Sequence, residues 1–147
     1  MIAVGRAGEP GMKRSVTEWK RRLDGLCREV VMRRAGASRA DGNPEQWYGA
    51  CEHCQKQGWL QWCHFASRRF SALRWNLDNC FALRAGCHYG WAHQQPSEFA
   101  AWVEERLGPK RYAALRMRLK TPGKVDYGAT EAYLLLAKQR IVNGGGD

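Results

Sequence analysis

The chain has 147 residues, of which 44% are hydrophobic and 11% aromatic, so it is long enough for one compact domain with short extensions. It carries 24 Lys and Arg against 14 Asp and Glu, a net charge of +10. This excess favours a polyanion partner, although many small proteins are basic only for solubility. No window is apolar over the length of a membrane span, so we expect no membrane partner.

The first predicted element is a long helix that follows a flexible leader over residues 1–14. Ser15 and Glu18 have the spacing of a capping box, which starts a helix, and Gly36 is expected to end it. Its apolar positions recur every three or four residues and form one face: Trp19, Leu23, Leu26, Cys27, Val30 and Val31. We therefore expect Cys27 to be a buried apolar side chain, and most arginines of this helix to be solvated.

The middle of the chain combines a predicted loop with two predicted strands. Residues 36–50 are rich in Gly, Ala, Asp, Asn and Pro, which favours a loop. Strands are predicted at 59–65 and 79–83, with a polar and basic turn region over 67–74 between them. A short helix is predicted to begin at 86–88, and the whole stretch 15–95 forms the core unit.

Residues 96–142 are predicted to be a C-terminal helical extension, followed by a disordered tail over residues 143–147. Pro96 and Pro109 each fit the first turn of a helix, and Gly108 ends the first of the two. The second is expected to stop at 121–123. The last helix, over 126–142, is predicted to bury the side chains of Tyr133, Leu136, Ala137 and Ile141.

The six cysteines favour metal binding over disulfides. They lie at positions 27, 51, 54, 63, 80 and 87, and no secretory signal precedes them. We therefore expect reduced thiols in a cytoplasm, where the close spacing of Cys51 and Cys54 indicates a metal site.

Three polar residues follow the cysteine pair in an informative order. His64 falls at a predicted strand end, Asn79 at the start of the returning strand, and His88 at the entry to a helix. With the cysteine pair before them, these residues resemble the core of HNH (ββα-metal) nucleases, a β-hairpin followed by a helix around one metal ion. The resemblance implies an α+β fold, with a small ββα-metal core, an N-terminal helix and additional C-terminal helices.

A narrower resemblance covers about residues 19–140. It links the chain to the NinG (Rap) group of phage lambda, recombination nucleases that act on branched DNA. The segments that carry it are Cys51–Cys54, His64–Arg69, Arg74–Trp75, Asn79, Cys87–His88 and Pro96–Phe99.

The resemblance implies a role for each residue of the triad. His64 is the general base that activates water, Asn79 orients the imidazole and pins the loop, and His88 holds a divalent cation (Mg²⁺, Mn²⁺ or a softer ion). The implied products carry a 5′ phosphate and a 3′ hydroxyl. Each residue also has a simpler interpretation: His64 as a core histidine, Asn79 as a turn residue, and His88 as a zinc ligand or the first residue of a helix.

The sequence departs from the HNH pattern at two metal ligands. Cys63 stands where many relatives have an aspartate ligand, so His93 is a candidate second ligand for the catalytic ion. Arg84 stands where a second cysteine pair would begin. A structural zinc site would therefore use Cys51, Cys54 and Cys87, with Cys80 or His53 as a fourth ligand, or it would be empty.

We expect DNA to be held by the basic loop, through Ser67, Arg68, Arg69 and Arg74. The resemblance thus implies a metal-dependent endonuclease, phage-encoded and active in recombination in the host cytoplasm, on branched or double-stranded DNA. A non-catalytic DNA-binding zinc-knuckle protein and an adaptor that binds another protein are the alternatives. A homodimer is a further hypothesis, because resolving a four-way junction usually takes two active sites.

Overall fold

The computed structural model describes residues 13–121 and 123–144, which form an α+β fold as predicted. Its helices are α1 (Val16–Arg34), α2 (Ser71–Arg74), α3 (Ala85–Cys87), α4 (Pro96–Leu107), α5 (Pro109–Lys120) and α6 (Tyr127–Val142). Its strands are β1 (Ser38–Ala40), β2 (Asn43–Ala50), β3 (Gln57–His64) and β4 (Cys80–Arg84). Residues 1–12 of the predicted leader, Pro122 and residues 145–147 of the predicted tail lie outside the described residues.

The four strands form one antiparallel sheet in the order β1-β2-β3-β4. The loop predicted over residues 36–50 is therefore wrong, because β1 and β2 form a hairpin there. The signal that was missed is the alternation at the end of β2, where Trp47 and Gly49 are buried and Tyr48 is exposed. A Cβ atom at Gly49 would come within 2.8 Å of the Ala37 backbone, so this position needs a glycine.

Helix α1 confirms its predicted start, end and buried face. The Ser15 hydroxyl accepts from the Glu18 backbone N–H (3.1 Å), and the Glu18 carboxylate accepts from the Ser15 backbone N–H (2.7 Å). The helix ends before Gly36, whose φ of 78° is accessible to glycine at little cost. Leu23 and Cys27 are fully buried in the core that α1 shares with the sheet.

The turn between β2 and β3 is fixed by a buried carboxylate. Glu52 lies between Cys51 and Cys54, and its side chain is only 4% exposed. Its Oε1 accepts from the backbone N–H of Ala82 in β4 (2.9 Å) and from Arg34 at the end of α1 (3.3 Å). Its Oε2 accepts from Arg106 in α4. One side chain thus ties this turn to the sheet and to two helices.

The C-terminal helices follow the predicted bounds, but the buried face of α6 differs from the prediction. Leu134 is fully buried, whereas Tyr133 is 45% and Leu136 is 48% exposed. Helix α6 packs along α1, so only a narrow stripe of it is covered. The Tyr133 hydroxyl, at the edge of that stripe, accepts from the Leu77 backbone N–H (3.0 Å). None of the described helices has the length and apolarity needed to cross a bilayer.

We predict that Glu52→Ala lowers the free energy of unfolding by about 2–3 kcal/mol, because two guanidinium groups and a backbone N–H lose their shared acceptor. Urea denaturation followed by circular dichroism measures this. Glu104→Ala is the matched control, since Glu104 is exposed on α4, and we expect it to change stability by less than about 0.5 kcal/mol. Equal effects of the two substitutions would contradict this role for Glu52.

Candidate active site

A cleft of ≈ 820 Å³ opens beside the end of β3, and it brings together three of the four histidines of the chain. The loop after β3, the helical turn after β4 and one side of α1 also border it. The histidines that line it are His64, His88 and His93. The other charged residues along its walls are Arg28, Glu45 and Arg68.

His64 is the last residue of β3, where it pairs with Cys80 of β4. Its Nε2 lies 2.8 Å from the backbone carbonyl oxygen of Arg74. A carbonyl can only accept, so Nε2 carries the hydrogen in this contact. In the neutral ring Nδ1 is then left with a lone pair, and this nitrogen can take a proton from water.

Asn79 is fully buried and holds both ends of the loop that follows β3. Its Oδ1 accepts from the Ala66 N–H (2.6 Å), and its Nδ2 donates to the carbonyl oxygens of Ala66 (3.0 Å) and Leu73 (2.9 Å). Asn79 does not line the cleft and makes no hydrogen bond with His64. Its contact with the histidine is indirect, through the loop that carries the Arg74 carbonyl.

The Arg74 side chain is engaged within the protein. Its Nε and Nη2 donate to the two carboxylate oxygens of Asp24 in α1, at 2.9 and 2.7 Å, and Trp75 donates to the same carboxylate (2.9 Å). Burial alone would raise the pKa of Asp24, but these hydrogen bonds and the Arg74 charge outweigh it and lower the pKa. Arg74, predicted as a DNA ligand, thus anchors the loop to α1 instead. Trp75 is buried in the core, as predicted.

His88 and His93 face each other across a π-helical turn, His88–Ala92, with ring centroids 4.7 Å apart. Residues five apart lie on different sides of an α-helix, but the wider π turn brings them together. The Nδ1 of His88 lies 2.8 Å from the Gln61 carboxamide oxygen, which again leaves the other ring nitrogen with a lone pair. Burial, followed by the nearby His93 and Arg68, lowers the pKa of His88 to about 4.

Residue 63, which precedes His64 in β3, is a cysteine, so it offers no carboxylate to a metal ion held by His88 and His93. Cys63 is fully buried, and burial raises the pKa of its thiol to about 12. Among the described His, Cys, Asp and Glu residues, no group of three that includes His88 and His93 lies close enough to hold an ion. These two side chains therefore offer an incomplete nitrogen donor set.

The loop residues predicted to bind DNA have different positions relative to the cleft. Ser67, Arg68 and Arg69 are all exposed. Ser67 and Arg68 line the cleft, whereas Arg69 lies over the ring of Phe70 outside it. Arg68 is thus the arginine of this loop that is both exposed and part of the cleft, as a phosphate ligand there would be.

A second cluster joins three cysteines, two from the turn between β2 and β3 and one from the helix after β4. The thiol sulfurs of Cys51, Cys54 and Cys87 lie within 4.8 Å of one another, so together they could hold a metal ion such as zinc. The structure does not bring Cys80 to this cluster. Cys80 is fully buried in the core, with its sulfur 4.0 Å from that of Cys27.

Neighbouring donors surround the three thiols. The Arg84 backbone N–H donates to the Cys51 sulfur (3.4 Å), its Nη1 donates to the Cys54 sulfur (3.6 Å), and the Nδ1 of His53 lies 3.2 Å from the Cys87 sulfur. Burial would raise the pKa of Cys54, but hydrogen bonds from the Lys56 backbone and Arg84 lower it to about 7. Burial and the neighbouring thiols raise the pKa of Cys87 to about 12. Cys54 therefore ionises before Cys87.

Several residues of the cleft were not predicted. Arg28 was assigned to the solvated face of the first helix, and nothing in the sequence links Gln61 to His88, which is 27 residues away. Trp62 and Tyr89 border the cleft as well, and the Tyr89 ring stacks on that of His88 with centroids 4.3 Å apart. Only the register of β3 and the π turn bring these side chains to one place.

No protein-family model matches the chain, and comparisons with curated proteins and with solved structures give no match. The resemblance to HNH nucleases therefore rests on the order and spacing of the residues quoted for it.

We predict that Asn79→Asp lowers the free energy of unfolding by roughly 3 kcal/mol. The new carboxylate keeps the bond from Ala66 N–H but turns an oxygen toward the carbonyls of Ala66 and Leu73. Asn76→Asp is the matched control, because Asn76 uses only its Oδ1, as acceptor for the Asp78 N–H (2.9 Å). Thermal and urea denaturation of both variants test this, and similar losses would exclude the pinning role.

Proposed function

We propose that the protein is a metal-dependent DNA endonuclease of the HNH type that hydrolyses phosphodiester bonds in duplex or branched DNA. The observation that carries the proposal is the orientation of His64. Its Nε2 donates to a backbone carbonyl, so Nδ1 of the neutral ring keeps a lone pair, and His64 lines a cleft that also holds two further imidazoles and two arginines. This is the arrangement a general base needs beside an anionic substrate.

In the proposed reaction His64 takes a proton from a water molecule at Nδ1. The water oxygen forms a bond to phosphorus, the bond from phosphorus to the 3′ oxygen breaks, and the released 3′ oxygen takes up a proton from solvent. The resemblance to HNH nucleases implies that the products carry a 5′ phosphate and a 3′ hydroxyl. The Arg74 carbonyl stabilises the protonated ring, since it accepts from Nε2 in both charge states.

His88 and His93 are the residues that would hold the catalytic cation, and DNA oxygens or water would complete its ligands. Such a cation neutralises charge on the phosphate in the transition state and assists the leaving oxygen. The Gln61 carboxamide fixes the His88 ring, a common feature of histidine metal ligands. Two imidazoles without a carboxylate favour ions such as Mn²⁺, Ni²⁺ or Zn²⁺ over Mg²⁺.

The net charge of +10 supports a polyanionic substrate. Ser67, Arg68 and Arg69 are exposed beside the cleft, where they can contact the DNA backbone. No helix with the features of a base-reading element was found in the sequence, which favours recognition of backbone and shape. A role in phage recombination is part of the same proposal and follows from the resemblance to the NinG (Rap) group.

A non-catalytic DNA-binding zinc-knuckle protein is the second candidate. It is favoured by one observation, that the ligand position before His64 holds a buried thiol in place of a carboxylate. The two proposals differ in a single outcome. The second candidate binds DNA and leaves it intact whichever divalent metal is added.

We predict that the protein cleaves supercoiled plasmid or a four-way junction when Mg²⁺, Mn²⁺, Ni²⁺ or Zn²⁺ is added, and that His64→Ala slows cleavage about 10²–10⁴-fold. Added imidazole should restore part of the activity of this variant, because it replaces the missing base. DNA binding and thermal stability of His64→Ala serve as controls for folding. Undiminished cleavage by the variant would show that His64 is not the base.

We also propose that Cys51, Cys54 and Cys87 hold a structural zinc ion. Three thiols close together fit the donor preference of zinc, and the nearby N–H donors fit their ionised form. The zinc content measured by elemental analysis should be close to one ion per chain. Cys87→Ser should lose the ion and lower the melting temperature, whereas Cys80→Ala should keep it. Zinc retained in Cys87→Ser would contradict this assignment.

A further inference from the structure

The ring of Trp62 contacts two arginines from distant parts of the chain, and all three residues line the cleft. Arg28 comes from α1, and its guanidinium lies over the Trp62 ring, 5.6 Å from the centroid. Arg68 comes from the loop after β3 and lies 5.7 Å from the same centroid. Both contacts lie within the range in which a tryptophan ring attracts a cation.

This pair of arginines lies next to the proposed catalytic residues. The Trp62 ring also contacts the imidazole of His64, with centroids 4.3 Å apart. Arg68 and His88 line the same cleft. Both arginines line the cleft together with these two histidines.

Neither guanidinium has a strong internal partner among the described residues. Arg28 has one acidic neighbour, Glu45, at 3.8 Å, and the Glu45 side chain is 75% exposed. A pair at this distance with one exposed partner contributes little to stability. For Arg68 no ion pair with a described carboxylate closer than 4.0 Å is found. By contrast, Arg74 in the same region is bound in two places by Asp24.

Trp62 contacts the two arginines through its aromatic ring and not through its N–H group. Its indole N–H is buried and has no hydrogen-bond partner among the described residues. The polar atom of the side chain therefore contributes nothing to the wall of the cleft. Tryptophan nevertheless offers the strongest ring for a stacked cation, and here it holds two.

We propose that Arg28 and Arg68, aligned by Trp62, bind one phosphodiester group of the substrate beside His64. The inference rests on the proposed function for the nature of the substrate, and it adds Arg28 of the N-terminal helix to the substrate-binding residues. Two planar guanidinium groups can each donate two hydrogen bonds to a phosphate. Glu45 competes with the phosphate for Arg28 and limits binding of DNA.

The test measures binding separately from cleavage. Every variant is made in the His64→Ala background, and the affinity for a short fluorescein-labelled DNA duplex is measured by anisotropy at several salt concentrations without added divalent metal. Arg28→Ala and Arg68→Ala should each weaken binding about tenfold at low salt and reduce the salt slope by about one unit. Arg140→Ala is the matched control, because it removes an exposed cation of α6. It should change the affinity less than twofold, which is the effect expected from losing one positive charge anywhere on the surface.

Two combinations test whether the arginines share one phosphate. The double variant Arg28→Ala and Arg68→Ala should lose less affinity than the product of the two single losses, because either change already breaks the shared site. Glu45→Gln should tighten binding, and this gain should disappear when Arg28 is also replaced by Ala. Strictly multiplicative losses, or a loss at Arg28 no larger than at Arg140, would overturn the inference.

The outcome is distinguishable from failure of the nuclease proposal. If the protein with His64 intact cleaves DNA but Arg28→Ala binds like the control, only the phosphate site is wrong. If no metal supports cleavage but the arginine effects are found, the phosphate site stands and the nuclease proposal fails.

Discussion

The buried carboxamide of Asn79 is the constraint on which the rest of the site depends. It fills three hydrogen-bonding positions of the loop after β3, two at Ala66 and one at Leu73. A loop held at both ends brings the Arg74 carbonyl to Nε2 of His64 and so fixes which ring nitrogen carries the hydrogen. Because the groups are buried, no water can replace the carboxamide without a large loss of stability.

The two histidines on either side of the cleft are oriented by the same physical means. His64 donates to a backbone carbonyl, and His88 donates to the carboxamide oxygen of Gln61. Each acceptor leaves the opposite nitrogen with a lone pair, suited to a proton in one case and to a metal ion in the other. The lowered pKa of His88, caused first by burial, keeps that ring neutral and able to bind a cation.

The cysteine turn is held to the rest of the fold by the carboxylate of Glu52. Glu52 joins it to β4, α1 and α4, and these contacts do not require a metal ion. Arg84 packs over Gly58, where a Cβ would come within 2.9 Å of its Nε, and from there it reaches the Cys54 sulfur. The Arg84 guanidinium thus brings a positive charge to the cysteine cluster, where it would balance part of the negative charge of ionised thiols.

The sequence by itself determined the elements whose signals are local. The capping box at Ser15, Pro96 and Pro109 at helix starts, and the strand before His64 are encoded within a few residues, and the structure has them there. It did not reveal the β1–β2 hairpin or the exposure of Leu136, which depend on partners elsewhere in the chain. The engagement of Arg74 by Asp24 and the place of Arg28 beside Trp62 were decided by tertiary structure alone. Spacing along a chain specifies local geometry, whereas these contacts join residues through packing that no local pattern records.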